Sequence, residues 1–429
     1  MPEAMEKLKE VEMYLNSIPK FSSSGNTAAN FDLSRMKIFC DRMGNPQNNF
    51  KSIHVAGTNG KGTVCRMLAS AYQEAGYKVG LYTSPHLVDF RERFQINATY
   101  VEGDLLLDFF DRFGEYIRET KFTYFEITTA IAFWIFSQVK VDLAVLEVGL
   151  GGRLDATNVV DPLVSVITSI GFDHTDILGD TIEKIAIEKA GIIKQNKPVV
   201  IGQLETEAIA AIKKIALEKS VNVVNVDSLN ADYQDEQMIL KNDRSQIVMD
   251  GKNWKKVDAV NTAIAYRVTE ILKNSFSMNN QQFKRGIESV QKRFPKRAVF
   301  EKLFADYNWY FDGAHNAQSV HSLTLHLSGL APPGKWTVIL SFMKDKLTRE
   351  VAELWNNFDK IYLYQMEGER AARLHEMKYF FPMASALNSP KKLLSNHFKS
   401  ELVIFSGSFY FYGVVSNWMG AIASAYQIK

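Results

Sequence analysis

From Ser52 to about Pro198 the chain repeats one pattern: a short β-branched apolar run, then a helix-length segment. "SIHVAG" enters a glycine cluster, "TVCRMLASAYQEAG" has helical spacing and closes at Gly76, and "KVGLYTS" is the next strand. Helices are expected over "DLLLDFFDRFGEYIRET" and from about Thr128. "VDLAVLEVG" and "PLVSVITSI" are apolar throughout, as strands buried on both faces of a parallel sheet are. "TIEKIAIEKAGIIK" then reads as a helix and "PVVIG" as a strand. Strands separated by helices need crossover connections, which implies a doubly wound, mostly parallel α/β sheet.

Beyond this region "NVDSLNADYQDEQMILKNDRSQIVMDGKNWKKV" is polar with only short alternating segments, so either a small β excursion or a long connection is expected. Helices resume over "DAVNTAIAYRVTEILKN" and "NQQFKRGIESVQK", and Pro295 marks a change of character. A second α/β pattern follows, with strands in "WYFDGAHN", "KWTVILSF", "KIYLYQM" and "ELVIFSGS". A length of 429 residues suits two or three domains. The expected division is a P-loop domain over 1–295 and a smaller Rossmann-like α/β domain over 296–429.

Composition removes several classes of function. Fifty basic against 48 acidic residues leave a formal charge of +2, which offers no field for nucleic acid or a membrane surface. The two cysteines, Cys40 and Cys65, form no C-x-x-C pair, so a disulfide framework is not expected and a reducing, cytoplasmic location is. The opening "MPEAMEKLKEVEMYLNSIPK" mixes charge with apolar residues and does not read as a signal peptide. The most apolar run, Ile127 to Phe136, is too short to span a bilayer and reads as a buried helix.

"HVAGTNGKGTVC" (His54 to Cys65) resembles a phosphate loop with unusual spacing. The common form is G-x-x-x-x-G-K-[ST]. Here Gly57 and Gly60 bracket only two residues, and Gly62 separates Lys61 from Thr63. The strand-to-helix context still aims backbone N–H groups and a helix N-terminus at an anion. Lys61 can meet terminal phosphates as a point charge, and Thr63 can offer a hydroxyl to Mg²⁺. Ser84, Glu147 and His174 fall after other strands on the same expected edge, where ligands of open α/β sheets bind. Together they could hold a divalent ion, although imidazole suits softer metals. Each taken singly also reads as a cap or a satisfied polar group. Lys189 alone reads as a helix-surface lysine, and Phe125 alone as a core aromatic.

Seven segments in order, "HVAGTNGKGT", "LYTSPHL", "FRERFQI", "YFEITTAIAF", "LEVGLGGRLDATN", "DHTDILGDTIEKIAIEKAGIIK" and "FDGAHN", resemble the folylpolyglutamate synthase and dihydrofolate synthase family of the Mur-ligase superfamily. That family's loop carries the same extra glycine. The resemblance implies an ATP-dependent amide ligase: a carboxylate becomes an acyl phosphate, the amine of L-glutamate attacks it, and phosphate leaves. The substrates it implies are ATP, L-glutamate, and dihydropteroate or a reduced folate, with a bifunctional enzyme favoured. It also implies Mg²⁺ (two ions), with K⁺ as a further candidate.

Carried over by residue, the resemblance puts ATP on Thr58, Asn59, Gly60, Lys61, Gly62 and Thr63, and metal on Thr63, Ser84, Glu147 and His174. Lys189 matches the position carbamylated in the family, where it would serve a second metal. Lys61, Lys189 and His174 are thus the implied catalytic set. Arg297, Asp312 and His315 match residues on the nucleotide and glutamate side, and Asn261 matches an asparagine near adenine. The pterin side falls on Phe31, Asp32, Leu33 and Ser34, on Thr123, Tyr124, Phe125 and Glu126, and on Leu154, Asp155 and Ala156. The segment before Asn261 reads "GKNWKKVDAVN" where the family usually shows a glycine followed by His-Gln.

Three other readings compete. A sister ligase would act on a cell-wall precursor, against which "TSPHL" and "GGRLDATN" speak. A nucleotide switch or plain ATPase would need neither "EKAGIIK" nor "DGAHN". A binding module would not gather so many polar groups at one sheet edge. A monomer is expected, with two lobes that close around substrate.

Overall fold

The computed structural model describes residues 10–15, 17–18, 32–241, 246–252, 254–295, 297–304, 307–387 and 402–426. Phe31, assigned above to the pterin side, lies outside the described residues. The chain divides into two compact units, Met1–Pro295 and Lys296–Lys429.

The first unit is built on eight strands: β1 (Lys51–Ala56), β2 (Val79–Tyr82), β3 (Phe94–Ile96), β4 (Thr99–Tyr100), β5 (Leu143–Glu147), β6 (Val164–Ile167), β7 (Val199–Ile201) and β8 (Val223–Asn225). Their order is β4-β3-β2-β5-β1-β6-β7-β8. The six strands from β2 to β8 in that order pair parallel, so β1 runs centrally between β5 and β6. The hairpin β3–β4 adds an antiparallel edge. The alternation pattern does not reveal it, because its strands are short and its signal lies in the turn. Asn97 and Ala98 both take positive φ, 48° and 62°, as a tight two-residue hairpin requires.

Helices cover both faces, so the continuous apolar strands are buried on two sides. Helix α1 (Ser34–Arg42) packs with α3 (Gly103–Thr120) and α4 (Tyr124–Val139) on one face, over Tyr82, Ala144 and Leu146. On the same strands' other face, over Ile53, Val55, Val145 and Val166, lies α2 (Lys61–Glu74). Helices α5 (Ile182–Ala190) and α6 (Thr206–Glu218) close on Ile167, Val199 and Ile201. Two further helices, α7 (Lys256–Leu272) and α8 (Asn280–Glu288), join the α2 side. Helix α4 begins at Tyr124, earlier than its apolar run suggests. Thr123 and Glu126 form a reciprocal capping box at its start, the T-x-x-E signature inside "TYFE".

The polar stretch after β8 is a β excursion. Strands β9 (Asn230–Gln234), β10 (Gln237–Lys241) and β11 (Gln246–Asp250) form an antiparallel sheet that buries Met238, Leu240, Ile247 and Met249 in the α2–α7 core.

The second unit carries β12 (Glu301–Lys302), β13 (Trp309–Asp312), β14 (Trp336–Leu340), β15 (Lys360–Leu363), β16 (Ser385–Ala386) and β17 (Leu402–Ser406). Their order is β12-β13-β17-β14-β15-β16, parallel except for β12. Helices such as α9 (Ala317–Leu330) bury Trp336, Val338 and Trp355 in its core. No helix among the described residues is long and apolar enough to cross a membrane.

Candidate active site

The glycine loop leaves the centre of the sheet, where neighbours on both sides can reach it. It is strapped to the segment after β6. Thr58 N donates to Ser169 O at 2.8 Å, and Asn59 N to Ser169 Oγ at 2.9 Å. Thr168 Oγ1 donates to Asn59 O at 2.6 Å, while Thr58 Oγ1 exchanges hydrogen bonds with the backbone of Gly171 at 3.1 Å. The chain then turns through Gly60 in the left-handed region into α2. The first N–H groups of α2 therefore open the helix with no carbonyl of their own turn to meet.

The extra glycine packs closely against two charged side chains. A Cβ on Gly62 would stand 3.1 Å from Arg66 Nη1 and 3.4 Å from Glu147 Oε2. Lys61, Gly62 and Thr63 therefore form the first turn of α2 directly beside the carboxylate that ends β5. Glu147 is 4% exposed, and Ser84 N donates to its Oε2 at 3.0 Å. Burial pushes its carboxyl above the ordinary range, while Lys61 and Arg66 pull it back. A metal dication would pull it further.

Two lysines converge on one carbonyl. Lys61 Nζ donates to Gly57 O at 3.0 Å and to Thr58 O at 3.1 Å, and Lys189 Nζ donates to the same Gly57 O at 3.0 Å. Lys189 is 4% exposed at the end of α5 and is no surface residue. The helical pattern of "EKAGIIK" cannot tell which neighbour covers that face, and the neighbour is the glycine loop. Burial and then Lys61 bring its ammonium down to about 7, opposed by Asp173 and Asp155. An amine held near neutrality is available as a nucleophile toward CO₂.

His174 lies past β6, at φ 50°, heading the helical turn Thr175–Leu178. Its side chain is 38% exposed, with Nε2 at 3.9 Å from Asp173 Oδ1. As a donor set, the buried Glu147 carboxylate with the hydroxyls of Ser84 and Thr63 fits Mg²⁺. That ion binds few protein oxygens and retains places for water and phosphate. The described residues hold no cluster of three or more His, Cys, Asp or Glu suited to an all-protein metal cage.

The loop after β5 is organised by Asp155. Its Oδ2 accepts from Gly149 N at 3.0 Å and Leu150 N at 2.9 Å, and its Oδ1 from Thr157 N at 3.0 Å and from the Thr157 hydroxyl. Ala156 is buried beside it and Leu154 half-buried. The Phe125 ring covers Gly149 so closely that a Cβ there would stand 2.5 Å from Cζ. Glu126 accepts from Thr123 and from Arg35 Nη2 at 2.9 Å, which ties α4 to α1. Tyr124 is buried beneath the Arg93 guanidinium, 5.0 Å from the ring centre. Asp32, two residues before α1 begins, accepts from Ser34 N at 2.9 Å, with the N-cap Leu33 half-buried between them.

Asn261, on α7, is buried against the loop. A Cβ on Gly60 would meet its Oδ1 at 2.7 Å, and Asp258 Oδ1 accepts from its Nδ2 at 3.1 Å. In the second unit Asp312 ends β13, with its oxygens accepting from Phe300 N and Ala314 N at 2.9 Å. His315 Nδ1 bonds Gly313 O at 2.8 Å, and Arg297 is exposed. Thr168, Ser169, Arg66 and Asp173 were not singled out above. The strand-exit rule that selected His174 would have found Thr168 and Ser169, since both directly follow β6.

The chain is similar to known proteins over most of its length. Residues 55–265 match the Mur ligase middle domain. The chain is 35% identical over 336 residues to the dihydrofolate synthase/folylpolyglutamate synthase of Bacillus subtilis, covering 73% of this chain and 76% of that protein. It is 33% identical over 346 residues to the Escherichia coli protein of the same name, covering 80% of each. The solved structure of Escherichia coli FolC in complex with DHPP and ADP superposes with a TM-score of 0.83 at 28% identity, covering 97% of this chain and 98% of that one. This chain belongs to the dihydrofolate synthase/folylpolyglutamate synthase family and is a ligase that forms carbon–nitrogen bonds.

Proposed function

We propose that the chain joins L-glutamate to dihydropteroate and to the γ-carboxylate of reduced folates, with ATP as the energy source. The observation that carries this reading is the meeting of Lys61 and Lys189 on the Gly57 carbonyl, beside the buried Glu147. Phosphoryl transfer between two anions needs positive charge and exact placement more than covalent help from the protein. The N–H groups opening α2 and the Lys61 ammonium neutralise the ATP phosphates. The acceptor carboxylate attacks the γ-phosphorus as its bond to the β,γ-bridging oxygen breaks and ADP leaves, and the glutamate amine then attacks the acyl carbon of the acyl phosphate. The C–N bond forms as the C–O bond to phosphate breaks, and the amine proton passes to solvent.

Mg²⁺ would be held by Glu147, Ser84, Thr63 and His174, and would supply charge to the phosphate oxygens. Lys189, as a carbamate, would hold a second ion, and K⁺ is a further candidate. Asn261 lies where an adenine contact is proposed, and Arg297, Asp312 and His315 are proposed for ATP and glutamate. The acceptor ring is assigned to Phe125, with Tyr124, Leu154 and Ala156, and to Asp155 through its hold on the 149–156 loop. Asp32, Leu33 and Ser34 belong to the same proposal. Thr123 and Glu126 would act by fixing the start of α4. A monomer is proposed.

The deciding assay gives the purified chain ATP, Mg²⁺ and glutamate with dihydropteroate, a reduced monoglutamyl folate or a muramyl precursor. Amide product with both pterin acceptors is expected. Phosphate release that ignores both would sink this function.

A further inference from the structure

We propose that His54 is a positioning residue for the acceptor-side loop, acting through Thr157 on Asp155. The proposal rests on the function argued above, in that it assigns the 149–156 loop to the acceptor.

His54 lies in the middle of β1 and is fully buried. An imidazole there is costly unless hydrogen-bonded, and an aliphatic residue would be the ordinary choice. Its Nε2 is 2.7 Å from Thr157 Oγ1. The Thr157 hydroxyl donates its only proton to Asp155 Oδ1. The threonine oxygen must therefore accept from His54, which makes the imidazole the Nε2–H tautomer. Nδ1 then carries a bare lone pair, in agreement with its lack of a partner among the described residues. Burial and the nearby Lys194 hold the ring neutral, with its pKa pushed down to about 3.

The result is a directed string, His54 N–H to Thr157 O–H to the Asp155 carboxylate. Each donation polarises the next. Three backbone N–H groups complete the shell of Asp155: those of Gly149, Leu150 and Thr157. Gly149 is the residue that Phe125 covers. The strand that ends in the phosphate loop thus also holds the floor of the acceptor loop, through one side chain pointing to the opposite face of the sheet.

The test is amide hydrogen exchange of Gly149 and Leu150, read against Val145 in β5. His54→Leu and Thr157→Val are expected to speed exchange of the two loop amides by about tenfold, the size of one net hydrogen bond. Val145 should not change. His54→Gln, which can present an N–H to Thr157, should restore protection. The His54→Leu/Thr157→Val double variant should be no worse than either alone. Kinetically, the acceptor KM should rise by a similar factor while the ATP KM stays within about twofold.

Exchange rising equally at Val145, or additive effects in the double variant, would overturn the string. Faster loop exchange with an unmoved acceptor KM would overturn the positioning role. If His54→Leu does not fold, Thr157→Val against His54→Gln decides alone. A wild type that turns over neither pterin acceptor would refute the function, and the exchange data would still judge the string.

Discussion

Two buried carboxylates eight residues apart do opposite things with their oxygens. Asp155 receives four hydrogen bonds, all from its own loop. Glu147 receives one, from Ser84 N, among the described residues. Burial pushes both carboxyls above their ordinary range. A carboxylate has about four lone-pair sites, so Asp155 is saturated and Glu147 is not. A saturated buried acid holds a backbone in shape; an unsaturated one beside the glycine loop keeps lone pairs open to a ligand. Asp312 of the second unit stands nearer the first kind, because both its oxygens accept backbone N–H groups.

Substitutions should separate the two kinds. The largest effect is expected from Lys61→Ala, which removes the cation facing both the loop and Glu147. Turnover should fall by about a thousandfold or more, with the melting temperature nearly unchanged. Full turnover would break the phosphate assignment. Next, Glu147→Gln should cost about 10²–10³ in kcat and leave stability equal or higher, since it removes a charge that burial disfavours. Asp155→Ala should reverse the balance. It leaves three backbone N–H groups without their acceptor, and a loss of about 3 kcal/mol in chemical denaturation is expected. Equal stability losses for Glu147→Gln and Asp155→Ala would erase the distinction.

Lys189 gives the pH test. Its ammonium is lowered from 10.5 to about 7 in the folded chain. Between those values the unfolded chain binds a proton that the folded chain lacks, so stability from this group rises with pH across that window. Below about 7 both states are protonated, and this contribution has no slope. Lys189→Met should flatten the rise between pH 7 and 10.5 in a denaturation series. An unchanged slope would show that burial does not lower the Lys189 ammonium in the folded chain. Smallest of all, Phe125→Ala should raise the acceptor KM by up to about tenfold and leave the ATP KM alone. An equal change in both would make Phe125 a core residue only.

Much of this site was legible in the chain. The order of strand, glycine loop and helix located Lys61 and Thr63, and the strand-exit rule located Ser84, Glu147 and His174. Helical periodicity reads "EKAGIIK" as a surface helix, however, and it is the fold that brings Lys189 to Gly57. "TYFE" carries two messages at once. Its T-x-x-E spacing caps α4 while its phenylalanine covers Gly149, and a linear pattern does not separate them. The hairpin at Asn97 and Ala98 escaped because its strands are too short for period-two alternation to register.

By itself the sequence determined what is local: the run of strands and helices, the phosphate loop, and the acids and bases at strand ends. Those follow from periodicity and from backbone sterics within a few residues. Only the tertiary structure decided which groups are charged, saturated or open. Lys189 is near neutrality because distant segments exclude water from it, and Asp155 is saturated because its loop folds back on it. Gly62 shows the division in one residue. Its place in the chain announces an odd loop, and only the fold sets its backbone within contact distance of the Arg66 guanidinium and the Glu147 carboxylate.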